Sequence, residues 1–223
     1  MLLNICSCRK YAVLVKVIAH EQVATRKSKS ATMLFTLLNV AALIGWTGVL
    51  TLTAAAWLDS KPPSATCLTA TLICECICCV DVVRIVLGQL RGDLILALDV
   101  HFTRLMMCFY VMPHPDISAS NVILILLAWS LTEVARYPMV LCPSVSALKT
   151  IRYAVPLVTF PLGAGTEAYA AYSVLITTPQ LPLKVALGWI VVVNCIGPPV
   201  WYPSMIAKVT RSLKTSAKKE ATD

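Results

Sequence analysis

The chain has 223 residues, 58% of them hydrophobic and only 13% charged, with a mean hydropathy of +0.77 and a formal net charge of +8. Soluble domains are about a quarter charged, so this balance excludes a soluble domain and points to one helical membrane domain. The basic excess does not signal nucleic acid, because it gathers at the two ends. Arg9, Lys10, Lys16, Arg26, Lys27 and Lys29 precede the first long apolar run, and Lys208, Arg211, Lys214, Lys218 and Lys219 follow the last.

Residues 1–32 read as a basic cytosolic arm. Within it, residues 11–19 are apolar but interrupted by Lys16 and too short to span, so they form a surface helix or a flexible segment. Six runs then approach the ~20 residues that a bilayer requires. They cover 33–58, 66–87, 94–112, 121–141, 151–177 and 183–207. Lys61-Pro62-Pro63, Arg91-Gly92-Asp93, Pro113-His114-Pro115-Asp116, Cys142-Pro143-Ser144 and the segment 179–182 separate them. Proline stops helices and biases the preceding residue away from helical backbone. Residues 208–223 read as a basic cytosolic tail. The expected fold is therefore all-α, a polytopic membrane protein with a six-transmembrane-helix bundle at 33–207.

The loops give the orientation. Arg91 and Lys149 fall after the second and fourth runs, with Arg152 at the edge, whereas the loops on the other side are poor in Lys and Arg. Positive charge stays inside, so both termini are expected in the cytosol and the basic ends on anionic lipid headgroups.

Most of the ten cysteines lie within the chain's apolar runs, Cys74, Cys76, Cys78 and Cys79 in the second alone. There Cys serves chiefly as a small hydrophobe. His20, His101 and His114 make no metal motif with acids at helical spacing, so no metal is expected, and Glu75 and Asp81 beside the cysteines are the acids a site there would need. Cys78 and Arg84 have the cysteine-x5-arginine spacing of a tyrosine phosphatase loop. No glycine follows Cys78 to turn N–H groups onto a phosphate, and the segment sits within a span.

Charges inside the spans are costly, roughly 2.5–3.5 kcal/mol each at the bilayer centre, and mark functional sites by default. Glu75, Asp81 and Arg84 lie on the second span, Asp99 and Arg104 on the third, Glu133 and Arg136 on the fourth, and Arg152 and Glu167 on the fifth. Glu133, Arg136 and Tyr137 are three and four residues apart and share a helix face. With Glu75 they read as a structural polar network. Arg84, Arg91, Arg104, Arg136 and Arg152 lie toward the cytosolic end, where guanidinium forks suit a phosphorylated headgroup. In the fifth span Pro156, Pro161, Gly163 and Gly165 precede Glu167. They predict a loosened backbone that turns Glu167 into a pocket of the bundle.

Two stretches together carry a resemblance. The first is the run from Ala128 through Trp129, Ser130, Thr132, Glu133 and Arg136 to Tyr137. The second is Arg152-Tyr153, then Phe160-Pro161-Leu162-Gly163, then Glu167. They resemble the 3-hydroxyacyl-CoA dehydratases of very-long-chain fatty acid elongation. Weaker echoes are Asn39 with Gly45-Trp46, the segment from Leu72 to Glu75, and Arg104. The resemblance covers 32–214 and implies six membrane helices in the endoplasmic reticulum. It implies removal of water from a (3R)-3-hydroxyacyl-CoA to give the trans-2-enoyl-CoA, without a cofactor. The implied partners are the long-chain 3-hydroxyacyl-CoA substrate, the lipid bilayer and the other elongation enzymes, and not nucleic acid. The family's catalytic tyrosine and glutamate fall on Phe160 and Glu167. Arg104, Arg136, Arg152 and Tyr153 are the expected substrate contacts. Phe160 brings no hydroxyl, so Glu167 acts alone or with another hydroxyl, for which Tyr137, Tyr153, Tyr169 and Tyr172 are candidates. An alternative is a catalytically impaired member that serves as a partner in the elongation complex. A proton-linked transporter is a third reading, weakened by short loops and the lack of a repeat.

Overall fold

A computed structural model describes residues 29–90 and 92–220. The basic residues of the N-terminal arm up to Lys27, the stretch 11–19 and Arg91 lie outside them, as do the side chains of Lys218 and Lys219. The chain divides into two units, Met1–Leu38 and Asn39–Asp223. The site lies wholly in the second.

The described residues are all-helical, with six long helices: α1 Lys29–Leu58, α2 Ala65–Val86, α3 Leu94–Met106, α4 Ala119–Leu141, α5 Ser146–Thr177 and α6 Leu181–Glu220. A π-helical turn, Met107–Val111, extends α3. Five of these, including α3 with its π turn, are long and apolar enough to cross a membrane by composition alone. The remaining one, α5, spans 32 residues and carries the prolines and Glu167. The protein is thus a polytopic six-helix membrane bundle.

Polar residues at the boundaries start the helices. Ser64 accepts from Cys67 N at the head of α2, Asp93 from Ile95 N and Leu96 N at α3, and Ser118 from Asn121 N at α4. These caps satisfy N–H groups that have no partner within the helix. Pro182 is accepted because it sits in the first turn of α6. The basic segment from Lys208 to Glu220 continues α6 as helix.

The expected loosening of the fifth span does not occur, because α5 runs unbroken from Ser146 to Thr177. A proline at position 161 deprives the carbonyl of Leu157 of its usual donor. The hydroxyl of Tyr202, from α6, donates to that carbonyl at 3.0 Å. A neighbouring helix thus repairs the bond, as membrane bundles require. Gly163 keeps a different role. A Cβ there would lie 3.3 Å from Ala128 Cβ and 3.5 Å from Glu167 Oε1, so glycine lets α4 approach α5 beside the carboxylate.

Tyr202→Phe should destabilise the bundle by about 1–3 kcal/mol, because it strands a buried carbonyl. In the Pro161→Ala background the same change should cost clearly less, since alanine at that position restores the N–H. Thermal unfolding of the four proteins in detergent measures the coupling.

Candidate active site

The acids and arginines of three helices form one chain of ion pairs. On α2 and α3, His101 Nδ1 bonds Glu75 Oε1, and Arg104 Nη1 donates to Glu75 Oε2 at 3.2 Å. Arg104 Nη1 also reaches Glu133 Oε1 on α4 at 2.7 Å. Glu133 Oε2 faces Arg136 Nε at 2.7 Å, one turn along the same helix. Arg136 Nη1 meets Asp81 Oδ2 at 3.3 Å, and Asp81 Oδ1 takes Arg84 Nη1 at 2.9 Å. The pairs of Glu133 with Arg136 and of Asp81 with Arg84 each join residues three apart on one helix. Three carboxylates balance three guanidiniums, which is how charge becomes tolerable away from water.

The chain reaches the middle of the membrane. Glu75 lies ten residues after the start of α2 and Arg104 ten after the start of the antiparallel α3. At ~1.5 Å per residue each is about 15 Å from opposite ends of a core about 30 Å thick. Arg104 therefore sits about midway along its span. Its guanidinium lies over Trp46 at 5.9 Å and over Trp129 at 5.3 Å. Both rings offer their negative faces to the cation.

Glu167 lies ten residues before the end of α5. It is buried, and both oxygens accept hydrogen bonds: Oε1 from Trp129 Nε1 at 2.6 Å and Oε2 from Asn194 Nδ2 of α6 at 3.3 Å. Trp129 is thus shared, its face on Arg104 and its N–H on Glu167. Asn194 was not singled out in the sequence. Its only signal was a polar side chain in an apolar run.

Glu167 faces a cavity of about 290 Å³ between α3, α4, α5 and α6. Phe160, two turns earlier on the same helix, lines it too, as do Arg104, Glu133, Trp129 and Asn194. The ring of Phe160 leans on Trp201 with centroids 6.0 Å apart. At the wall, Thr132 and Thr159 share a hydrogen bond of 2.6 Å. The pocket expected around Glu167 is present, although the helix that carries it is continuous.

The other expected site residues lie elsewhere. Arg136 is held in the ion chain, and its Nη2 donates to Tyr137 Oη at 2.6 Å. Tyr137 also bonds Cys78 Sγ at 3.1 Å, so it belongs to the polar network and not to the cavity. Arg152 reaches Met139 Sδ at 3.6 Å, away from the cavity, and Tyr153 does not line it. Tyr169 and Tyr172, 64% and 53% exposed, point outward from α5. No candidate tyrosine brings its hydroxyl into the cavity.

Cys78 is buried inside α2, in contact with Trp46 Nε1, Tyr137 Oη and Arg136. Arg84, one helical face away, pairs with Asp81. The cysteine-x5-arginine segment therefore forms no phosphate loop. Glu75, Cys79 and His101 place a carboxylate, a thiol and an imidazole within 4.8 Å of one another, donor types that suit a divalent metal. Both oxygens of Glu75 are already bonded within the protein, to His101 and to Arg104.

Residues 75–215 match the family described as protein tyrosine phosphatase-like protein, PTPLA. The chain belongs to this family. The matched region begins at the first acid of the ion chain and takes in Arg104, Trp129, Glu133, Phe160 and Glu167. No curated protein and no solved structure matches the chain.

Arg104→Leu should leave Glu75 and Glu133 buried without their shared cation, costing about 3–5 kcal/mol. Arg152→Leu, with no acidic partner among the described residues, should cost less than about 0.5 kcal/mol. Unfolding midpoints of the two variants in the same detergent compare them.

Proposed function

We propose that the protein removes water from a (3R)-3-hydroxyacyl-CoA to give the trans-2-enoyl-CoA, within very-long-chain fatty acid elongation. The observation that carries the reading is Glu167, a carboxylate gripped at both oxygens and aimed into an intramembrane cavity. It stands at the position that the resemblance to the dehydratases assigns to catalysis. Membership of the phosphatase-like family is compatible with this chemistry, and the buried, helical Cys78 speaks against a phosphatase.

The chemistry needs one base that can also return a proton. Glu167 takes the proton from the carbon alpha to the thioester. The bond from the beta carbon to its hydroxyl then breaks, and Glu167 gives the proton to the leaving oxygen. Water and the enoyl thioester result, with the carboxylate regenerated. Trp129 and Asn194 hold the carboxylate in place, and positioning of this kind supplies much of an enzyme's advantage. The acyl chain takes the apolar wall of the cavity. Arg152, in the second turn of α5 beside the late part of α6, would meet the CoA phosphates.

The setting that goes with this reading is the endoplasmic reticulum membrane, with both termini cytosolic and the other elongation enzymes as partners. Glycosylation tags at either terminus of the intact protein should stay unmodified, and tags in the loops after α1, α3 and α5 should be modified.

One observation favours a second reading, a family member without turnover that acts as a complex partner. Phe160, in the cavity, carries no hydroxyl. Purified protein incubated with 3-hydroxystearoyl-CoA, with enoyl product followed, separates the two. Glu167→Gln should abolish turnover. Phe160→Tyr should raise it by about tenfold or more, the scale of one added acid–base group. No product from native protein but product from Phe160→Tyr would select the second reading. No product from either folded protein would remove the dehydratase reading.

A further inference from the structure

Thr103 breaks a pattern that the other threonines keep. Three further helical threonines are buried, and each donates its hydroxyl to the carbonyl four residues back: Thr53 to Val49, Thr71 to Cys67 and Thr159 to Val155. This is the usual way for threonine to satisfy itself inside a helix. Thr103, late in α3, is 5% exposed, yet its Oγ1 has no hydrogen-bond partner among the described residues. A buried hydroxyl without a partner is a net cost to the fold. The same residue lines the cavity that Glu167 faces.

Its position gives the unspent hydroxyl a use. Thr103 precedes Arg104, whose guanidinium stacks on Trp129, the donor to Glu167. It lies nine residues into α3, about 13 Å from its start at ~1.5 Å per residue. The base stands on α5 and the free hydroxyl on α3, with the cavity lined by both helices. Phe160, Tyr137, Tyr153, Tyr169 and Tyr172 supply no hydroxyl there. The hydroxyls of Thr132 and Thr159 are engaged with each other and with Ala128 O and Val155 O.

We infer that the Thr103 hydroxyl is a substrate contact that donates a hydrogen bond to the thioester carbonyl oxygen of an acyl-CoA held in this cavity. The inference rests on the dehydratase reading for its catalytic part. When Glu167 removes the alpha proton, negative charge moves onto that oxygen, and a donor already aimed at it stabilises the charge as it forms. No proton is transferred to or from Thr103. The hydroxyl does the part of the work that a tyrosine at position 160 could do by donation, from the opposite wall.

The test uses the full chain in detergent, with Thr103→Val, Thr103→Ala and Thr103→Ser. Palmitoyl-CoA, which has the thioester but no hydroxyl to eliminate, is the binding probe, and 3-hydroxystearoyl-CoA is the turnover substrate. Because the hydroxyl has no partner among the described residues, Thr103→Val should melt at the same temperature as the native chain or higher. It should bind palmitoyl-CoA about tenfold more weakly, the equivalent of one good hydrogen bond. Its kcat should fall further than its KM rises, and Thr103→Ser should recover most of both. A fall in melting temperature for both Thr103→Val and Thr103→Ala would overturn the inference, by revealing a partner within the protein. So would unchanged palmitoyl-CoA affinity in Thr103→Val, or no affinity in the native chain. If Thr103→Val loses affinity but the native chain yields no enoyl product, the dehydratase reading fails and the contact stands. If the native chain turns over and Thr103→Val matches it in binding and rate, the contact fails and the reading stands.

Discussion

Three acids and three arginines placed in hydrocarbon must find one another, and that necessity sets the arrangement of α2, α3 and α4. Each charge alone costs several kcal/mol at mid-depth. The chain from His101 through Glu75, Arg104, Glu133, Arg136 and Asp81 to Arg84 leaves the three carboxylates and three guanidiniums all engaged. Arg104 is its hub. It carries two carboxylates, and its cation lies over Trp46 and Trp129. Helices that could otherwise slide against one another in lipid are thereby fixed in register.

The Glu167 carboxylate inherits that register through Trp129. The indole ring is fixed by Arg104 and its N–H points at Glu167, so the ion chain orients a residue on a helix it does not itself include. Gly163 lets α5 come close enough for the bond to form, and Tyr202 keeps α5 helical across Pro161. A cavity results whose deep wall is polar and whose remaining lining is largely apolar and aromatic.

Phe160 is the departure that matters. Its ring packs on Trp201, so it fills the cavity wall and brings no hydroxyl there. In the proposed dehydration, proton transfer would rest on Glu167 alone. The name of the family points to a different chemistry, and Cys78 answers it. A thiol enclosed by Trp46, Tyr137 and Arg136 within a helix has neither access to a substrate nor backbone N–H groups to bind a phosphate.

The sequence by itself determined the spans, because a run of some twenty apolar residues has few other fates in a membrane protein. It also determined the pairs within one helix, Glu133 with Arg136 and Asp81 with Arg84, since three-residue spacing fixes a shared face. Glu167 stood out for the same elementary reason, its cost in hydrocarbon. Tertiary structure decided everything that depends on a second helix. Only there does Arg104 become a hub at mid-depth, Tyr202 repair the break at Pro161, and Asn194 and Trp129 close on Glu167. Only there do Tyr169 and Tyr172 turn outward while Thr103 is left with a hydroxyl that has no partner among the described residues. Local spacing specifies a face, but which face meets which is settled by the joint demand that buried charges pair and backbone carbonyls find donors.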